Sequence, residues 1–185
     1  MNDLLRYRRE RLSVGLVLTV AVLLMLAGMT VSARFDAATI GWNVVLAALL
    51  VIQFRLWDDL IDIDIDRSQY PDRVLCQMES TTQFWLGMQL LFAINCAAIG
   101  FSKSWTEAMI FVAMNAVFFV WYHAVRRYFS RFLNVMFVLA KYPAFTLVIA
   151  DAPALKNKTS VIISMAVVYA GACLYEILHN IRDQK

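Results

Sequence analysis

The chain has 185 residues, of which 61% are hydrophobic and 17% are charged, and its mean hydropathy is +0.62. Soluble globular domains are only about 45–50% apolar, so this composition excludes that class. The net charge of +3 is small, and no basic patch interleaved with aromatic residues indicates a nucleic-acid partner. The composition therefore predicts a protein embedded in membrane lipid.

Six apolar segments have the length, about 20 residues, that crosses a bilayer as a helix. In chain order they cover residues 12–33, 38–57, 82–101, 105–125, 132–150 and 160–178. Short polar connections separate them, and no linker divides the chain into domains. Backbone groups in hydrocarbon must bond within their own segment, and no barrel-like alternation repeats here. The sequence thus predicts one all-α, polytopic transmembrane bundle over residues 1–185.

The first span follows four arginines, as in a signal peptide, but its apolar part is about twice the usual length and five spans follow it. We therefore expect it to be retained as a helix. When the six spans alternate, one side carries eleven Lys and Arg residues and the other side carries four. Since cytoplasmic loops are enriched in positive charge, both termini and the polar end of the second span are predicted to be cytoplasmic, at a cell membrane.

The densest polar feature is a run of five aspartates within nine residues, directly behind the second span. Carboxylates so close together repel one another, and at a membrane edge they need cations among them. If the second helix continues through the run, Asp59, Asp62 and Asp66 lie at i, i+3 and i+7 and share one face. Their hard oxygen atoms suit Mg²⁺, which substrate phosphates complete. The spacing therefore favours a Mg²⁺ site for a phosphorylated substrate.

The same helical spacing predicts where the other charged residues of this segment lie relative to the acidic face. Arg55 precedes the acidic face by one turn, Asp58 lies at its edge, and Asp64 points away from it. The alternation in residues 60–66 also fits a strand, but a strand there would lack a pairing partner. A solvated charged cap that only stops the second span from sliding inward is the structural alternative. The connection over residues 66–81 is predicted to be a loop or a short cap over the run.

Polar residues also occur inside the later spans, where they usually face the bundle interior or a wet cavity. Lys141 lies near the middle of the fifth span and needs a carboxylate, a phosphate or water there. Glu176 in the sixth span belongs to a site or forms a buried ion pair with Lys141 or Arg55. Three further residues, expected to form hydrogen bonds between helices, are Asn115, Asn134 and Thr146.

Three motifs resemble those of the UbiA-type intramembrane prenyltransferases. Residues 58–66, followed by Pro-Asp-Arg at 71–73, are similar to the first acidic motif, N/D-D-x-x-D-x-x-x-D with a downstream P-x-R-P-like element. Trp-Tyr-His-Ala-Val-Arg-Arg at 121–127 is similar to the Y-x-x-x-K-R element of the fourth helix. Residues 175–183 resemble the opening part of the second acidic motif, on the sixth helix.

The resemblance implies that two acidic motifs face each other and bind Mg²⁺ with the diphosphate of an isoprenoid donor. Asp59, Asp62 and Asp66 would be the catalytic carboxylates. The metal-binding residues would be Asp58, Asp59, Asp62, Asp66, Glu176 and Asp183. The residues that bind the diphosphate would be Arg55, Arg73, Arg126, Arg127 and Lys141. The expected activity is Mg²⁺-dependent transfer of a prenyl group from a prenyl diphosphate to an aromatic or other lipophilic acceptor within the membrane.

UbiA-type prenyltransferases usually carry nine spans, so the resemblance implies that the chain corresponds to the N-terminal two thirds of the family fold. It ends two residues after Asp183, and we expect a second chain to supply the remaining helices, or the chain to be a shortened member that is inactive in isolation. The alternative to an enzyme is a non-catalytic membrane protein. That protein would bind or transport divalent cations, or would be a degenerate structural paralogue.

Overall fold

The computed structural model describes residues 3–30, 36–150 and 158–183, with side chains up to residue 178. All regular structure in these ranges is helical, so the predicted all-α class is confirmed. The α-helices are α1 (Asp3–Arg11), α2 (Val14–Met29), α3 (Ala37–Ile61), α4 (Ile63–Gln69), α5 (Thr82–Ser102), α6 (Trp105–Val120), α7 (Arg131–Leu139), α8 (Lys141–Ile149) and α9 (Lys158–Asp183). Shorter turns are a 3₁₀ turn at Val74–Gln77, a π-helical turn at Trp121–Val125 and a 3₁₀ turn at Arg126–Tyr128.

Five helical segments in the described ranges are long and apolar enough to cross a membrane. They are Ala37–Ile61, Thr82–Ser102, Trp105–Tyr128, Arg131–Ile149 and Lys158–Leu178, close to the second to sixth predicted spans. A sixth segment forms only if α1 and α2 are taken together, and these helices are bent by 60°. The helices therefore fit a multi-pass membrane protein.

The structure differs from the predicted first span, because the chain bends between α1 and α2. The apolar helix α2 covers only 16 residues, Val14–Met29, where the sequence predicts a span over 12–33. Residues 31–35 lie outside the described part of the chain. The helix α1 contains four arginines and a glutamate, and these side chains are costly to place in hydrocarbon. A turn away from the direction of α2 lets the charged helix leave the apolar layer.

The helix α3 lies at the centre of the bundle and packs against α2, α5 and α8. Leu46, Leu50 and Phe54 recur every four residues along one face, and each is fully buried. The ring of Phe54 lies 5.5 Å from that of Phe118 on α6 and 5.2 Å from that of Phe145 on α8. Edge-to-face aromatic packing of this kind joins three helices directly behind the acidic run.

Side-chain amides connect three spans inside the apolar bundle. Gln53 on α3 donates to Asn115 on α6 at 2.8 Å, and Asn95 on α5 donates to Gln53 at 2.8 Å. The predicted hydrogen bond of Asn115 between helices is thus confirmed. Asn134 and Thr146 differ, because they donate to backbone carbonyls close to them in sequence. The bond from Asn134 to the Arg126 carbonyl still joins the fifth span to the end of the fourth, whereas the bond of Thr146 stays within α8.

The connection that follows the acidic run folds back against the bundle as the predicted short cap. Its 3₁₀ turn buries Val74 and Leu75 in a small apolar cluster with residues from α1, α3 and α5. The other buried members of this cluster are Tyr7, Leu56, Leu60 and Phe84. The same cluster therefore holds α1 and the cap close to the acidic run.

Gly28 lies where α2 approaches α8. A Cβ atom at Gly28 would lie 2.9 Å from Cγ2 of Ile149, a β-branched side chain with little rotamer freedom. We expect Gly28→Ala to lower the free energy of unfolding by about 1–3 kcal/mol, because the helices must separate. Gly41→Ala on α3 is the control, since nothing lies within 4 Å of that Cβ position. Thermal unfolding in detergent micelles measures both variants, and a Gly28→Ala protein as stable as the wild type would contradict this packing.

Candidate functional site

The acidic run spans the end of α3, a break at Asp62 and the helix α4. Asp62 has φ −90° and ψ 3°, and it precedes the first residue of α4. Backbone bonds still cross the break, from the Asp62 amide to the Asp58 carbonyl at 3.0 Å and from the Asp66 amide to the Asp62 carbonyl at 2.8 Å. The predicted continuous helix is therefore interrupted at one residue, of a type that favours helix ends over helix interiors.

Asp59 is the most buried carboxylate of the run, with 5% of its surface exposed. Arg11 of α1 binds it in a bidentate manner, through Nη2 to Oδ1 at 2.6 Å and Nε to Oδ2 at 3.1 Å. The Tyr7 hydroxyl donates to Oδ2 at 2.9 Å, and Nε of Arg55 lies 3.6 Å from Oδ2. Two guanidinium groups and a phenol thus neutralise this carboxylate, and charge-assisted bidentate bonds are among the strong ones.

Asp58 pairs with a different part of the chain. Its Oδ1 accepts a hydrogen bond from the Tyr122 hydroxyl, and its Oδ2 accepts one from Nζ of Lys141. Lys141 is 4% exposed, and it begins α8 where the fifth span is broken at Ala140. The break follows from Pro143, whose ring clashes with the carbonyl four residues earlier. The predicted need of Lys141 for a partner is thus met by a carboxylate, that of Asp58.

The last two carboxylates of the acidic face also meet arginines. Nη2 of Arg126 donates to Oδ1 of Asp62 at 2.6 Å, and Arg73 forms an ion pair with Asp66. Burial raises the pKa of Asp62, the neighbouring charges of Asp58 and Asp66 raise it further, and the bond from Arg126 opposes the rise. Asp62 therefore gains a proton at a higher pH than an ordinary aspartate does.

The π-helical turn at the end of α6 positions two of these partners. The Arg126 amide donates to the Trp121 carbonyl, five residues earlier, so each turn holds more residues than an α-helix does. Tyr122 and Arg126 consequently lie nearly one turn apart and both reach the acidic run. Single π-helical turns of this kind occur frequently at functional sites.

The remaining predicted residues are placed differently. Asp64 is largely exposed. Among the described residues, its only ion pair is with the exposed Arg67, at 3.6 Å. Asp64 therefore points away from the acidic face, as its spacing predicts. Arg127 donates to the hydroxyl of Tyr128 at 2.8 Å. Glu176 is half-buried on α9, which packs against α2, α7 and α8. The side chain of Asp183 lies outside the described residues.

Four residues of the site are not among the candidate site residues that the sequence indicates. Tyr7, Glu10 and Arg11 come from α1, and the Glu10 carboxylate accepts a bond from the Val74 amide at 3.0 Å. Tyr122 comes from the end of the fourth span, within the motif that also supplies Arg126. Charge counting assigns the α1 arginines to the same side as the acidic run. Their pairing with particular aspartates depends on the fold.

We call this assembly the rim site. Its four carboxylates and the five basic side chains that pair with them are Asp58, Asp59, Asp62, Asp66, Arg11, Arg55, Arg73, Arg126 and Lys141. A small recess beside it is lined by residues of α1, α3, α4 and the cap. Within the described ranges, no three His, Cys, Asp or Glu side chains are grouped as a metal site. The rim site therefore combines oxygen ligands suited to a hard cation with guanidinium groups suited to phosphate oxygens.

No protein-family model matches the chain, and no curated protein or solved structure is significantly similar to it.

Substitution of Lys141 tests how strongly the stability of the bundle depends on these ion pairs. We expect Lys141→Met to lower the free energy of unfolding by about 3–5 kcal/mol, because it leaves the charge of Asp58 buried and unpaired. Adding Asp58→Asn should recover part of that loss. Arg67→Met is the control, and its exposed pair with Asp64 should contribute less than about 1 kcal/mol. Denaturant unfolding in detergent micelles measures the series. Equal losses for Lys141→Met and Arg67→Met would contradict a buried pair.

Proposed function

We propose that the chain is a prenyltransferase-like membrane protein whose rim site binds the diphosphate of a prenyl diphosphate together with Mg²⁺. The supporting observation is that four carboxylates and five basic side chains form ion pairs where apolar helices end. A prenyl diphosphate has one strongly anionic end and one apolar end. An ion-binding rim at the border of an apolar bundle matches both ends of such a molecule.

The two halves of the rim site suit the two parts of the ligand. Carboxylate oxygens of Asp58, Asp59, Asp62 and Asp66 would hold Mg²⁺, and that donor set fits its preference for oxygen. Arginines and Lys141 would bind the phosphate oxygens, for which a planar guanidinium is well matched. In the structure the two halves neutralise each other through the ion pairs of the rim. Ligand binding would exchange these internal pairs for pairs with the metal and the diphosphate.

The chemistry of prenyl transfer explains why both signs of charge are needed. When an allylic carbon–oxygen bond breaks, negative charge grows on the leaving diphosphate and positive charge grows on the carbon. Fixed cations around the leaving group stabilise that separation, and Mg²⁺ would supply further positive charge. Arg126 and Lys141 are suited to this role because their spans hold them on the acidic face. A lipophilic or aromatic acceptor would then form a bond to the allylic carbon and release a proton, so that the products are the prenylated acceptor and diphosphate.

A second candidate is a non-catalytic membrane protein in which the rim site only fastens the helices together. The favouring observation is that every carboxylate of the acidic face already has a basic partner in the protein. Under this alternative, neutralising a rim aspartate would lower stability, and the chain would not bind a diphosphate.

Substitution at two aspartates of the same run separates these candidates. Asp62→Asn should weaken Mg²⁺-dependent binding of a prenyl diphosphate by at least about tenfold, or 1.4 kcal/mol. Asp64→Asn is the matched control and should leave binding nearly unchanged, because Asp64 faces solvent. Binding of a radiolabelled prenyl diphosphate to protein in detergent micelles, with and without Mg²⁺, measures the effect. Equal effects of the two substitutions would contradict a site on the acidic face.

Transfer itself requires a separate assay. Membranes that contain the chain, alone or with a co-expressed partner that supplies further helices, are incubated with radiolabelled prenyl diphosphate. Mg²⁺-dependent incorporation of label into lipophilic products is the expected result in at least one of the two preparations. Binding without incorporation in either preparation would leave a diphosphate-binding protein and contradict the enzyme.

A further inference from the structure

The charged helix α1 lies over the rim site with one face turned to the protein. Tyr7 on this face is 3% exposed, and its ring contacts Phe84 with centroids 5.3 Å apart. Arg8 and Arg9 lie on the opposite face and are exposed. The break between α1 and α2, with its bend of 60°, separates α1 from the apolar bundle. The helix is thus attached to the body of the protein through its inner face.

The polar side chains of that inner face form hydrogen bonds either to the acidic run or to the cap beyond it. Arg11 and Tyr7 bind Asp59. Glu10 accepts a bond from the amide of Val74 in the cap. Arg6 donates to Gln77, also in the cap, at 3.1 Å. Among these polar contacts, the bonds to the buried carboxylate of Asp59 are the ones that join α1 to the acidic run.

Arg11 and a divalent cation would require the same oxygens of Asp59. The guanidinium already contacts Oδ1 and Oδ2, and the Tyr7 hydroxyl adds a third bond at Oδ2. A dication close to these oxygens would also repel the guanidinium. Conversely, a guanidinium released beside a bound diphosphate is well placed to bind a phosphate oxygen, because its geometry suits both carboxylate and phosphate. A cation that binds the oxygens of Asp59 would therefore compete with Arg11 for them.

We propose that α1 is a displaceable cover of the rim site and that Arg11 is a further diphosphate-binding residue. With no ligand, Arg11 holds the cover closed on Asp59. When a cation and a diphosphate enter, Arg11 leaves Asp59 and binds the phosphate, and the contacts of α1 with the cap loosen. This inference rests on the proposed function, because it takes Asp59 as a ligand of the incoming cation.

The Arg11→Gln substitution should change the affinities for two probes in opposite directions. Binding of Mn²⁺ alone should become at least about fivefold tighter, because no guanidinium competes for Asp59. Binding of inorganic pyrophosphate in the presence of Mg²⁺ should become weaker by a similar factor, because a phosphate ligand is lost. A residue that only supports the fold would move both affinities in the same direction. Parallel changes in the two affinities would therefore overturn the role of Arg11.

The position of the cover is measured by cross-linking. The three native cysteines are replaced by serine, and Arg6→Cys and Gln77→Cys are introduced into the full chain, at a pair in hydrogen-bond contact. In detergent micelles, a bifunctional maleimide should join the two cysteines efficiently. Adding Mg²⁺ with pyrophosphate should lower the rate several-fold. Asp59→Asn should lower it without any ligand, and Asp64→Asn, the matched control, should not.

The possible outcomes distinguish a failure of the cover from a failure of the proposed function. A cross-linking rate that falls in Asp59→Asn and on addition of Mg²⁺ with pyrophosphate supports the cover. An unchanged rate in protein that demonstrably binds pyrophosphate overturns the cover and leaves the proposed function standing. A protein that binds no pyrophosphate overturns the proposed function and, with it, the ligand-driven opening. An unchanged rate in Asp59→Asn overturns the attachment through Asp59, whatever the ligand does.

Discussion

The structure depends on the pairing of crowded carboxylates with basic side chains from distant parts of the chain. Asp59 is buried and Asp58 is partly buried at the end of α3, where unpaired charges would be costly. Arg11, Arg126 and Lys141 reach the acidic run from α1, the end of the fourth span and the fifth span. Each pair joins a separate element to the central helix, so one local concentration of negative charge organises one whole end of the bundle.

Irregularities of the helices coincide with these pairs. The α1–α2 bend brings Arg11 over Asp59, and the break at Ala140 places Lys141 at the start of α8. The π-helical turn at the end of α6 brings Arg126 to the acidic run. Regular helices satisfy their own backbone and offer little freedom to aim a side chain. Departures from regularity at this end of the bundle are therefore what allow charges on different elements to meet.

Much of the fold could be predicted from the sequence, because span length, the direction of Asp64 and the need of Lys141 for a partner are local properties. Apolar length fixes where helices cross a membrane, and helical periodicity fixes which aspartates share a face. Two features were not predictable in this way: the bend before α2, and the aspartates to which Arg11 and Tyr122 bind. They depend on contacts between residues 48 and 64 positions apart, respectively, which no local spacing encodes. Prenyl transfer stays a proposal that the motif resemblance suggests and the charge pattern supports.

The central claim is that the rim site holds a dication and a diphosphate together, by exchanging its internal ion pairs for them. Equilibrium dialysis of radiolabelled pyrophosphate against the wild-type chain in detergent micelles, across a Mg²⁺ titration, tests this claim most directly. The account predicts weak binding without Mg²⁺ and binding that tightens by at least about tenfold as Mg²⁺ is added. Binding that is absent throughout, or equally tight with and without Mg²⁺, would contradict it.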